Sequence, residues 1–123
     1  MRCQCSSLLL VAVLAGCAAG GASTTTPRSS SRTVITAAEL AQATESNLYD
    51  VVRRLRPTWL QRRGGRGLPP LFIDNVRAGD VDRMQSIMIE TVLEVRFIPP
   101  RDATTRWGTG YPAGVIEVIQ RRG

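Results

Sequence analysis

The stretch that most constrains this chain is the apolar run Leu8 to Ala15, closed by Gly16 and Cys17. Arg2 places a positive charge ahead of it, and small residues lead into the cysteine. The run is far too short to cross a bilayer, which takes about 20 apolar residues in a helix. An ordinary secretory signal with an incidental cysteine, or a short buried helix, would use part of this pattern. Leading charge, short apolar length, small residues and a thiol together favour a processed export segment. Each part has a chemical reason. Small side chains let processing enzymes reach the backbone, and the Cys17 thiol is the nucleophile there soft enough to accept a diacylglyceryl group. Whatever folds must therefore be sought beyond residue 17.

The run Leu14-Ala15-Gly16-Cys17 resembles, residue for residue, the lipobox of bacterial lipoproteins. The resemblance implies that residues 1–16 are a signal peptide removed with Cys3 and Cys5, leaving Cys17 as the lipidated first residue. The one remaining cysteine then carries lipid and cannot form a disulfide, even in an oxidising compartment. Two or three acyl chains give stable anchoring where one would bind only marginally. Ala18 rather than Asp follows Cys17, which by the same resemblance implies release to the outer membrane, facing the periplasm.

Residues 18–33 are small and polar without apolar periodicity, which predicts a flexible tether with a reach of roughly 20–24 Å. The remainder, 34–123, suffices for one small domain. All 16 basic residues are Arg, against 10 acidic residues, and there is no Lys or His. Such an exported basic domain suits anionic headgroups, polysaccharide or acidic partners better than nucleic acid. The absence of His and Lys removes the usual general bases, no carboxylate pair has a catalytic signature, and no metal-loop or phosphate-binding motif is present. The expectation is a non-enzyme without cofactor, metal or small-molecule substrate.

Order is expected from Val34. Thr36-Ala37-Ala38-Glu39 has capping-box spacing and predicts a helix to about Ala43. From Ser46 a second helix places Leu48, Val51, Val52 and Leu55 on one face, and Pro57 ends it. Gln61 to Gly67 reads as a mobile loop. Leu71 to Asp74 reads as a short strand, with Asp74-Asn75 turning into a hairpin arm at Val76-Arg77. Asp80 is placed to cap a helix over Val81–Met88, with Val81, Met84, Ile87 and Met88 inward. Thr91 to Ile98 alternates, so Leu93, Val95 and Phe97 should share one face of a strand. Asp102 to Trp107 predicts helical turns stopped by Gly108. Gly114 to Ile119 is nearly all apolar and predicts a central strand covered on both faces.

In this order, the strand ending in Asp74, the alternating strand, Asp102-Ala103…Arg106-Trp107-Gly108 and Gly114-Val115-Ile116-Glu117-Val118-Ile119 are similar to the plug domain of TonB-dependent outer-membrane receptors. Leu48 to Trp59 would match the plug's leading helix, and the resemblance covers about residues 46–121. Asn75 stands where Gly is usual, but Asn tolerates a left-handed backbone. No energy-coupling segment is evident, and the sequence stops at Gly123 where a receptor would continue into a barrel. The resemblance thus implies a fold and an envelope setting rather than transport. The fold expected is α+β, a plug-like domain with a short mixed sheet of three or four strands and two or three short helices.

Arg53, Arg54, Arg56, Arg62, Arg63 and Arg66 crowd around Trp59. Guanidinium forks suit phosphates and carboxylates, and Trp59 could stack beside them, so Arg53, Arg54, Trp59, Arg62, Arg63 and Arg66 form a candidate anion or partner site. The plainer reading is a solvated helix face and basic loop with Trp59 in the core. Trp107 and Tyr111, flanking Gly108 and Gly110, read as a contact site or, more simply, as a cap on the core. The expected function is interaction or scaffolding in the cell envelope. The partners would be the membrane, through the lipid, and an outer-membrane β-barrel or envelope protein. The alternative is an Arg-rich surface for anionic lipid headgroups or polysaccharide.

Overall fold

A computed structural model describes residues 31–62 and 65–123, so Cys17, the signal segment, most of the tether and Arg63 lie outside the described residues. Helix α1 (Ala37–Ala41) opens on the expected capping box. The Thr36 hydroxyl accepts from the Glu39 amide at 3.4 Å, and the Glu39 carboxylate accepts from the Thr36 amide at 2.9 Å. Helix α2 (Leu48–Leu55) is capped by Asn47, whose side chain accepts from the Asp50 amide at 2.9 Å. Its buried face is the predicted one, with Leu48, Val51 and Val52 fully enclosed and Leu55 packed at the margin. Pro57 has no N–H to continue the α-helical ladder, and the chain tightens into a 3₁₀ turn over Pro57–Leu60.

The sheet has five strands: β1 (Val34–Ile35), β2 (Leu71–Ile73), β3 (Val76–Gly79), β4 (Val92–Ile98) and β5 (Val115–Gln120), in the order β1-β4-β5-β2-β3. The pairing of β2 with β5 is parallel and the others are antiparallel. The fold is therefore α+β with a mixed sheet, one strand larger than predicted. The extra strand, β1, is too short for any periodicity. Its register against Arg96 and Val95 of β4 holds it, with the Phe97 amide donating to the Thr33 carbonyl at 2.8 Å. Strand β5 is central, and Val115 through Val118 are buried, as its apolar run predicts.

One face of the sheet carries the main core, in which Leu71, Val95, Ile116 and Val118 meet Leu40, Leu48, Val51 and Val52 of the helices. The other face is covered by helix α3 (Pro100–Trp107), which seals Phe72, Ala103 and Val115. Helix α3 stops at Gly108, whose φ of 86° lies in the left-handed region.

Two expectations need correction. Val81–Ser86 is a 3₁₀ segment without a side-chain cap from Asp80, and Met88 is 65% exposed rather than inward. The backbone extends after Ser86. The Leu48 amide donates to the Ile87 carbonyl at 2.9 Å and the Ile89 amide to the Ser46 carbonyl at 3.3 Å. Side chains along an extended segment alternate, so Ile87 points in and Met88 out. In β4, Leu93 does not share the buried face with Val95. Val92 opposes Gln120 while Glu94 opposes Ile119, which leaves Leu93 as the extra residue of a β-bulge, 44% exposed.

Arg56 fastens the start of the domain. Its guanidinium donates to the carbonyls of Ser31 and Val34, each at 3.1 Å, to that of Leu55 at 2.9 Å, and to the Glu39 carboxylate at 2.9 Å. Partial burial alone would raise the Glu39 pKa, but the Thr36 amide and the Arg56 guanidinium outweigh it and hold the carboxyl below its ordinary value. A carboxyl that is more acidic folded than unfolded contributes fully above the unfolded pKa and loses that contribution as pH falls through the folded value. Glu39→Gln is therefore expected to cost about 1–2 kcal/mol at neutral pH, the worth of charge-assisted and capping bonds. The gap between wild type and variant should close on acidification in urea titrations run across pH.

Candidate functional site

The arginines of the sequence cluster differ in their partners, and Arg63 lies outside the described residues. Arg54 is joined to the Glu45 carboxylate, its partner nine residues away, and this bond holds the Glu45 carboxyl below its ordinary pKa. Arg56 is turned inward as described. Arg53 sits exposed on α2, and Arg62 is exposed in the segment after the 3₁₀ turn. Trp59 is 3% exposed. Its ring stacks on Phe97 with centroids 5.7 Å apart and planes 25° apart, and its Nε1 donates to the Arg32 carbonyl at 3.0 Å. A ligand has no access to its faces, so the expectation of Trp59 stacking on a bound group gives way to a core role.

Arg66 is placed differently. It lines an open depression of about 240 Å³ together with Arg77 of β3, Asp80, Tyr111 and the chain at Gly110 and Pro112. Among the described residues neither Arg66 nor Arg77 has a carboxylate within ion-pair distance, whereas Arg54, Arg56, Arg96 and Arg106 each do. Arg77 is a functional candidate that the sequence cluster did not include. It comes to Arg66 because β2 and β3 fold back on each other, and the only signal for that was the Asp74-Asn75 turn. Those residues have φ of 47° and 71°, the two left-handed positions of a type I′ hairpin.

The floor beside this depression is aromatic. The Phe72 ring lies 4.7 Å from that of Trp107 and 5.7 Å from that of Tyr111. Trp107 Nε1 donates to Asn75 Oδ1 at 3.0 Å, which explains why Asn rather than Gly serves in the turn: it also holds the indole. Arg106 lies over the Trp107 ring at 4.7 Å and donates to Glu117 at 3.3 Å. Glu117 is 4% exposed, and its one ion pair ties α3 to the central strand. Trp107 and Tyr111 thus cap the second apolar cluster, and Tyr111 alone reaches the rim of the depression. A larger open depression of about 360 Å³ near Leu40 and Ile89 brings together only Glu90 and Arg121 as charged groups.

The third element of the site is the outer edge of β3. The sheet order leaves β3 paired on one side only, and Val76 on it is 69% exposed. An edge strand displays unpaired amides and carbonyls to any chain that can lie beside it. The site is therefore a short open sheet edge with an exposed apolar residue and two unpaired guanidinium groups beside it. No family model and no curated protein matches the chain. The structure itself defines the class as a small α+β domain, and no helix among the described residues is long and apolar enough to cross a membrane.

Proposed function

We propose that this chain is a lipid-anchored protein of the bacterial outer membrane, attached through Cys17, whose plug-like domain works as a non-catalytic interaction or scaffolding module facing the periplasm. The signal-like segment with its cysteine supports the anchoring. The open edge of β3, with Val76 exposed and Arg66 and Arg77 unpaired, is the observation that carries the interaction role. Backbone pairing at such an edge supplies affinity, and flanking side chains supply specificity.

The test is cross-linking in living cells on the native chain, with mass spectrometry of what co-purifies. Reproducible capture of a β-barrel or other envelope protein is expected, and Cys17→Ser should abolish both acylation and capture. Capture of lipid alone would overturn the reading in favour of an arginine surface that holds anionic headgroups. That second activity would show as binding to phosphatidylglycerol vesicles that falls steeply with salt, since exposed charges are screened over about 10 Å at 0.1 M.

A further inference from the structure

We infer that the partner docks as an added strand on β3, and that this strand alternates apolar and acidic residues. The inference rests on the interaction-module reading and specifies its partner. Ile73 and Val76 flank the two-residue turn and exchange their backbone bonds. The next residue, Arg77, therefore turns its amide and carbonyl away from β2, toward the open edge. No strand lies beyond β3 among the described residues. β3 carries neither a proline nor an inward-pointing charge, and the bulge that shifts its register between Arg77 and Gly79 confines regular pairing to the Val76–Arg77 end.

Side-chain direction then dictates the sequence of the visitor. Val76 opposes Ile73, so it stands on the side of the sheet that carries the main core. Arg77 opposes Phe72, so it stands on the α3 side, where Arg66 joins it at the open depression. Directly opposite residues in paired strands share a face and interact. A strand laid along β3 would set apolar residues beside Val76 and the intervening residues beside Arg77 and Arg66. Two guanidinium groups without carboxylate partners favour acids at those positions, in the forked geometry that guanidinium and carboxylate share. Asp80 also lines the depression and opposes any carboxylate set close to it.

The experiment replaces single residues of the full chain in its native host with a photo-cross-linking amino acid, at Val76 on β3 and, as separate controls, at Arg53 on α2 and at Met88. The cross-linked peptide is then sequenced. The expected product at Val76 is one peptide with two or more carboxylates at alternate positions, at least tenfold enriched over the control sites. Combining the probe with Arg66→Glu or Arg77→Glu should reduce that yield at least tenfold, whereas Arg53→Glu should leave it unchanged. Both arginines are exposed, so these variants are expected to fold, and a matching melting temperature would confirm it. Capture at the control sites but not at Val76 would overturn the added-strand inference and leave the interaction reading standing. So would a neutral or basic peptide at Val76, a lipid adduct, or a peptide of this same chain. Capture at no position would overturn both.

Discussion

Gly114→Ala is expected to destabilise the domain by about 3–5 kcal/mol. Gly114 has φ of +84°, where an L side chain costs roughly 1–2 kcal/mol by itself. A Cβ there would also lie 2.5 Å from the Ile98 carbonyl oxygen and 3.0 Å from the Phe97 ring. That carbonyl cannot simply withdraw, because Ile98 and Val115 are register partners where β4 meets the central strand. Gly67→Ala is the control. Its φ of +76° is similar, but nothing lies within 4 Å of the added carbon, so only the backbone cost applies. Thermal melts should separate the two. In a domain of this size each kcal/mol lowers Tm by roughly 4–8 °C, so the Gly114 variant should melt at least about 12 °C lower. Equal small losses for both variants would contradict the packing described at β4 and β5.

Trp59→Ala is the second large effect, expected at about 3–5 kcal/mol from the cavity an indole leaves in a core. Trp59→Phe keeps an aromatic ring beside Phe97 but loses the bond to the Arg32 carbonyl and part of the packing, so it should cost less, about 1–3 kcal/mol. Urea midpoints measure both. A Trp59→Ala variant of wild-type stability would mean that the ring lies outside the core and would return it to the list of ligand contacts.

Much of the fold was legible wherever a local rule acts within one turn or one strand. The Thr36–Glu39 box, the face of α2 from Leu48 to Leu55 and the Asp74-Asn75 turn depend on neighbours a few residues apart. The burial of β5 is written in its own composition. What was not legible depends on register. The bulge at Leu93 leaves no mark in the alternating pattern of β4. The outward turn of Met88 comes from the bonds that Ile87 and Ile89 make with Leu48 and Ser46. The site was least legible, because the acceptors that engage Arg54 and Arg56 lie well away from them in the sequence. Arg56 binds carbonyls 22 and 25 residues away and Arg54 an acid nine residues away, while Arg66 meets Arg77 only through the hairpin.

The position of β5 has a consequence for timing. Among the described residues it is the last of five strands, and it joins the β1–β4 pair to the β2–β3 hairpin. Two-stranded pieces are marginal in water by themselves. A chain emerging amino end first from a ribosome or any other pore has only such pieces until residues 115–120 are out. The sheet can then close around β5 in one cooperative step. Until then the two strand pairs are not joined, and the apolar faces that β5 covers stay open to water.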